Sequence, residues 1–195
     1  MIKEGLISLV RNRLQKYDKT AIYHDKVIEY QLDVCWNEIL HDAFNSDETN
    51  YDFYAKDYYG VSVTLVNGRY QALYPDPIVQ LISKSEGVRR VSVSDFDLEF
   101  VPVSLYEQEL LEGLELDQMF DGDGVIRYRV MYDKIQFLED MSGVSTVDMT
   151  LVIPFRAYDM TEDIPIPSGK AMSLVDLAVE RLSTIPPVDL TNANN

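Results

Sequence analysis

Residues 59–74, YGVSVTLVNGRYQALY, decide the fold. Polar and apolar side chains alternate over residues 59–66, as is typical of a half-buried β-strand. Asn67-Gly68 follows, and both residue types tolerate the positive φ angles that a two-residue hairpin turn requires. Residues 69–74 return as the partner strand, which the Pro75-Asp76-Pro77 segment ends because proline has no N–H to donate. The centre of the chain is therefore predicted to be a β-hairpin.

More strands follow this hairpin. One strand is predicted for residues 88–93 and a long one for residues 146–155. Residues 125–132 and 135–138 flank Asp133-Lys134 and predict a second hairpin.

Two other segments are less regular. The apolar residues at 78–82 fit either a short helix or a strand, and periodicity does not decide between them. Residues 104–119 are predicted to be helical, although Gly113 weakens a helix interior.

Helices are predicted on the N-terminal side of the hairpin. Apolar side chains recur with i, i+3, i+4 spacing over residues 2–17 and again over 24–45. The short connection at 18–20 favours a helical hairpin. Ser46 or Asp47 can cap a short helical piece at 48–57.

The C-terminal part reads as a helix between proline-containing segments. Residues 159–167 form a proline-rich connector, and Ser168 caps a helix that reaches about residue 185. Segregated helices and strands predict an α+β fold, with an N-terminal helical hairpin, an antiparallel β core built from hairpins and a C-terminal helix. We divide the chain into a helical region at 1–58, a mainly antiparallel β core with one inserted helix at 59–160, and the connector, final helix and frayed tail at 161–195.

The charge restricts the function. The chain carries a formal net charge of −16, with carboxylates distributed along its length. This argues against nucleic-acid binding through a basic patch, because phosphate binding needs clustered Lys and Arg. An acidic protein can border a path along which DNA slides, although solubility alone is the commoner reason for such a charge. With no run of about 18 apolar residues and no signal-peptide pattern, we expect no membrane contact and synthesis in the cytoplasm.

The sequence contains no recognisable catalytic or metal-binding motif. Cys35 lies in an apolar helical stripe and is interpreted as a core residue, and His24 and His41 have no motif neighbours. The segment Asp121-Gly122-Asp123-Gly124 lacks the later ligands of a calcium loop and favours a turn. We therefore predict no enzyme activity, no catalytic residues, no metal and no cofactor. A hydrolase with converging carboxylates and a divalent metal is the alternative from another class.

Candidate contact residues are of two kinds. Arg89-Arg90 can meet acidic groups on a neighbouring subunit or pair within its own fold. The N-terminal helical hairpin and the tyrosines at 51, 54, 58 and 59 are candidates for protein contacts, although each tyrosine can equally cover the sheet.

Three stretches together resemble a family of phage proteins. They are the helical hairpin with Val10-Arg11-Asn12-Arg13-Leu14 and Cys35-Trp36-Asn37-Glu38-Ile39-Leu40, the segment from Tyr70 through Pro75-Asp76-Pro77 to Gly87-Val88-Arg89-Arg90-Val91, and Asp163-Ile164-Pro165-Ile166-Pro167 with the final helix and Pro186-Pro187-Val188-Asp189. The pattern resembles virion structural proteins of crAss-like podoviruses that infect Bacteroidetes bacteria, in particular neck ring proteins.

The resemblance implies a role and partners. It implies a homo-oligomeric ring, twelvefold in the family picture, that joins the portal to the tail around the DNA channel and contacts other ring and tail proteins. It implies location in the neck or tail region of the virion, assembly in the host cytoplasm and no cofactor. A tail-hub or capsid-associated virion protein is the alternative of the same class, and a phage-made regulatory binder is a third.

Overall fold

Two compact units form the chain. The computed structural model describes residues 1–17, 23–46, 51–79, 87–93, 99–113 and 125–184. One unit, here called the helical unit, combines Met1–Tyr54 with Pro154–Asn195, and the other, the sheet unit, is Ala55–Ile153. The helical unit therefore takes its elements from both ends of the chain. The N-terminal helical region and the C-terminal helix, which we separated in the sequence, lie in the same unit.

The described residues form four α-helices. They are α1 (Lys3–Tyr17), α2 (Asp25–Ser46), α3 (Leu105–Gly113) and α4 (Ser168–Thr184). Single turns of 3-10 helix occur at Asp52–Tyr54 and Phe155–Ala157. Only α3 belongs to the sheet unit.

In the helical unit, α4 packs against both α1 and α2. Its buried side chains recur at the spacing that places them on one helix face: Ala171, Leu174, Val175, Ala178, Val179 and Leu182. The ring of Trp36 lies edge-on to Tyr54 and to Tyr158, with centroid distances of 5.6 Å and 6.4 Å. The apolar faces of the N-terminal helices are thus occupied within their own unit.

A buried lysine ties α1 to the turn at Phe155–Ala157. The Lys3 side chain is 3% exposed, and its Nζ donates to the backbone oxygen of Tyr158 at 2.8 Å and of Arg156 at 3.3 Å. It also forms an ion pair with Glu29 of α2 at 2.5 Å. The buried Asp33 of α2 accepts the N–H of Arg156 at 3.1 Å. A buried charge needs several such partners, and together they fix the path of this turn.

In the described part of the sheet unit, seven strands form one sheet. They are β1 (Lys56–Val66), β2 (Arg69–Leu73), β3 (Val88–Ser92), β4 (Glu99–Pro102), β5 (Val125–Val130), β6 (Lys134–Phe137) and β7 (Thr146–Leu151). Their order is β3-β7-β1-β2-β6-β5-β4. All pairs are antiparallel except β4 with β5, which are parallel. The edge strands β3 and β4 also come within 8 Å of each other at Cα, so the sheet curls around its buried face.

Two irregularities keep one face of this sheet apolar. Between Tyr58 and Val61 the first strand carries one residue more than β7, with Gly60 at φ 68°, and the Gly60 N–H donates to Asp148 at 2.9 Å. The pairing of β3 with β7 shifts in the same way between Val88 and Arg90. Such β-bulges let residues three apart, rather than two, point to the same side.

A close backbone approach closes the sheet unit beside β7. The Val152 N–H donates to the oxygen of Gly87 at 2.8 Å, and its oxygen accepts the N–H of Val79 at 2.9 Å. A Cβ atom added to Gly87 would lie 2.5 Å from the oxygen of Val79. Only glycine fits at this position without movement of the backbone.

The predicted α+β class is confirmed, with N-terminal helices, a sheet of antiparallel strands and a C-terminal helix. Both hairpins form, and the turn residues of the first have φ values of 52° at Asn67 and 76° at Gly68. In the second, the turn lies one residue earlier than predicted, because Lys134 already belongs to β6. The parallel strand β4 was not predicted. The strand predicted for 146–155 ends at Leu151, and the backbone of the next residue, Val152, bonds to Gly87 and Val79. Of the residues at 78–82, only 78–79 are described, and these have no regular structure.

Candidate interaction surfaces

Cys35, which the sequence suggests is a core residue, is fully buried in α2. Burial raises the pKa of its thiol, and a hydrogen bond from Gln31, 3.9 Å away, acts weakly in the opposite direction. A thiol kept protonated by burial is a poor nucleophile.

The two histidines lie at opposite ends of α2, where His24 is exposed and His41 is half-buried. His24 caps the start of the helix, since its backbone oxygen accepts the N–H of Val27 at 2.8 Å and its Nδ1 accepts the N–H of Lys26 at 3.3 Å. His41, near the helix end, is 3.0 Å from the amide nitrogen of Asn45. Their side chains are not brought together.

The Asp121-Gly122-Asp123-Gly124 segment lies outside the described residues. Within the described ranges, no three side chains of the His, Cys, Asp and Glu types converge as a metal site. Among the same residues, no helix has the length and apolar character needed to cross a bilayer.

The four tyrosines proposed as contact residues have different environments. Tyr51 and Tyr54 are 0% and 2% exposed and belong to the core of the helical unit. Tyr58 donates a 2.6 Å hydrogen bond to Asp76 in the sheet unit. Tyr59, next to the bulge, is 78% exposed. Tyr59 is therefore the tyrosine of this group that offers most of its surface to a partner.

The two arginines at the entry of β3 also differ. Arg89 occupies the bulge position and lies close enough to Tyr128 to affect its ionisation. Arg90 is exposed on the strand. Arg89 thus has an intrachain role, while Arg90 remains a candidate for contact with a neighbouring subunit.

An exposed apolar surface lies at the tip of the first hairpin, and the sequence did not indicate it. We call residues 64–70 the ribbon, because here β1 and β2 pair only with each other: β7 pairs with β1 as far as Ser62, and β6 pairs with β2 only from Gln71. At the ribbon, Leu65 is 60% exposed and Val66 is 41% exposed. The two residues are consecutive in a strand, so their side chains lie on opposite faces of the ribbon, and a partner that encloses the tip contacts both.

A second surface is concave and lies wholly in the helical unit. It is a groove of about 840 Å³ lined by Asp42, Ala43, Ser46, Phe53, Tyr54, Ile164, Pro165, Ile166, Pro167 and Lys170. The segment 164–167 forms an apolar wall, and Phe53, which is 66% exposed, forms part of the rim. Because its walls are far apart in the sequence, local patterns could not reveal this groove.

No protein-family model matches the chain, and a search of curated proteins finds no match.

Proposed function

We propose that the chain is a structural subunit of a phage head-to-tail connector ring, which binds the portal and neighbouring ring and tail proteins around the DNA channel. The observation that carries this proposal is the three-part resemblance of the sequence to neck ring proteins of crAss-like phages. The protein works through contacts with other proteins rather than through catalysis.

The two exposed apolar surfaces support a contact function. The ribbon presents Leu65 and Val66, and the groove presents Phe53 and the wall at 164–167. Exposed aliphatic and aromatic side chains beside shaped cavities are common where proteins bind one another.

The charge is compatible with a DNA path. When a chain with a formal net charge of −16 is repeated around a channel, the lining or rim of the channel is strongly negative. Like charges do not bind the DNA phosphates, so the duplex can move along the channel without being held. The surplus charge also requires that the contacts between subunits include segments poor in carboxylates.

Mass measurement of the purified protein, alone and with its portal, tests the proposal. We expect a closed ring of defined stoichiometry or a stable complex with the portal, and we expect the protein in purified particles by mass spectrometry. A protein that is monomeric under all conditions, does not bind portal and is missing from particles would overturn the proposal. Labelling at the tail tip or on the capsid shell instead of the neck would favour the alternative virion locations.

A further inference from the structure

We propose that the ribbon of one copy of this chain inserts Leu65 and Val66 into the groove of the helical unit of a second copy. This inference rests on the proposed function, because it identifies the contact that joins neighbouring ring subunits.

The ribbon has the geometry of an inserting element. It is a two-stranded extension whose turn, Asn67-Gly68, adopts the positive φ angles of a tight hairpin connection. A segment with only two strands is stabilised less by strand pairing than the interior of a sheet. A partner surface that covers Leu65 and Val66 adds to the support that Tyr70 gives the ribbon through its hydrogen bonds with Asp140 and Ser142.

The charge pattern favours the ribbon as the element that contacts a second copy. Residues 58–75 contain no Asp or Glu and include Arg69, although the whole chain has 33 acidic and 17 basic residues. No other segment of the sequence is free of carboxylates for as long. Two copies of an acidic protein repel each other, so the least unfavourable approach places this segment against the neighbour.

The groove has room and chemistry for the ribbon tip. At about 840 Å³ it lies within the range of roughly 300–1,000 Å³ typical of sites that enclose a ligand. Its wall at 164–167 is apolar, which suits aliphatic side chains. Asp42 and Lys170 contribute one charge of each sign to its lining, so the groove itself does not add to the surplus of negative charge.

The positions of the two surfaces determine the kind of assembly. The ribbon belongs to the sheet unit and the groove to the helical unit, so each copy offers two different surfaces. A contact between different surfaces is heterologous and repeats from copy to copy, closing into a ring when the rotation allows. Two aliphatic side chains are too few for a whole interface of about 1,600 Å². The ribbon is therefore one part of the contact between subunits.

Sedimentation of the full chain over a concentration series tests the contribution of the ribbon. We expect the double variant Leu65→Ser, Val66→Ser to weaken self-association at least about tenfold, because each exposed aliphatic side chain loses its burial in the partner. Leu73→Ser is the matched control, since Leu73 is 56% exposed but pairs with β6 outside the ribbon. It should associate like the wild type. Ile166→Asp, placed in the groove, should weaken association as the ribbon variant does.

Cross-linking of mixed single variants tests whether the ribbon of a second copy occupies the groove. Leu65→Cys protein mixed with Ile166→Cys protein should give a disulfide-linked pair with oxidised glutathione, whereas Leu73→Cys with Ile166→Cys should not. The native Cys35 is fully buried and does not interfere. If the mixed single variants do not cross-link, whereas one chain that carries both Leu65→Cys and Ile166→Cys does so within itself, insertion into a second copy is overturned.

The outcomes separate this inference from the proposed function. Rings that persist unchanged with Leu65→Ser, Val66→Ser and give no cross-link would overturn the ribbon contact and leave the ring intact. A wild-type protein that neither self-associates nor binds portal would overturn both. If the ribbon variant self-associates normally but no longer binds the portal, the contact between copies is overturned. The ribbon would then bind the portal and not the groove of a second copy.

Discussion

The helical unit and the sheet unit are held together in different ways. In the helical unit, polar side chains bind backbone groups of a distant segment, as Lys3 and Asp33 bind the turn at Phe155–Ala157. In the sheet unit, backbone meets backbone closely, as at Gly87 and Val79. The turn at Phe155–Ala157 thus depends on correctly placed charges, whereas the close approach at Gly87 depends on the absence of a side chain.

The same comparison holds for the surfaces. The helical unit offers a concave groove, and the sheet unit offers a convex ribbon. The tyrosine-rich stretch that drew attention in the sequence contributes mainly to cores, because Tyr51 and Tyr54 are buried. Three predictions test whether the two units differ as described, in order of decreasing effect.

The largest effect is expected from Gly87→Ala. The added Cβ would lie 2.5 Å from the Val79 oxygen, so the backbone must move, and we expect a loss of about 3 kcal/mol in the free energy of unfolding. Urea denaturation followed by circular dichroism measures it. Gly143→Ala is the control, since nothing lies within 4 Å of a Cβ there, and it should change stability by less than about 0.5 kcal/mol. Equal effects at both positions would contradict the close approach.

A somewhat smaller effect is expected from Lys3→Met. The variant keeps the length of the side chain but leaves the oxygens of Arg156 and Tyr158 without their donor, which costs about 2 kcal/mol. The fluorescence of Trp36, the single tryptophan, reports unfolding of the helical unit.

The exposed Lys26 provides the control for this change. Lys26→Met should leave the unfolding curve of Trp36 in place. A Lys3→Met protein as stable as the wild type would show that the turn at Phe155–Ala157 is held by apolar packing alone, and the contrast between the units would disappear.

Local patterns in the sequence accounted for elements whose causes are local. Asn67-Gly68 specifies its own turn, and the spacing of apolar residues in α1, α2 and α4 specifies their buried faces. The bulge at Arg89 could not be anticipated, because it breaks the alternation by which a strand is recognised. The parallel pairing of β4 with β5 depends on a partner across α3, which no short window contains.

The candidate surfaces were beyond prediction for a similar reason. Leu65 and Val66 have the same residue types as the buried strand positions, and they lie beyond the positions at which β7 pairs with β1 and β6 pairs with β2. The groove joins side chains from 42–54 with others from 164–170. Exposure and shape here are set by the lengths of neighbouring elements, which the residues themselves do not encode locally.

The smallest effect is expected at alkaline pH. Burial raises the pKa of Tyr128 to about 12, while the Arg89 guanidinium acts in the opposite direction. A tyrosine in the unfolded chain titrates near pH 10, so above that pH the unfolded state releases the proton first. The stability that Tyr128 contributes is complete below pH 10 and is lost as the pH rises towards 12, with about 1 kcal/mol lost at pH 11.

Urea denaturation of Tyr128→Phe at pH 9 and pH 11 measures this contribution. Between the two pH values, the free energy of unfolding of the variant should fall by about 1 kcal/mol less than that of the wild type, because phenylalanine has no proton to release. Tyr132→Phe is the control, since Tyr132 is 84% exposed, and it should follow the wild type. If Tyr128→Phe also follows the wild type, Tyr128 is not enclosed by the curled sheet, and the interior of the sheet unit is more open to water than its burial indicates.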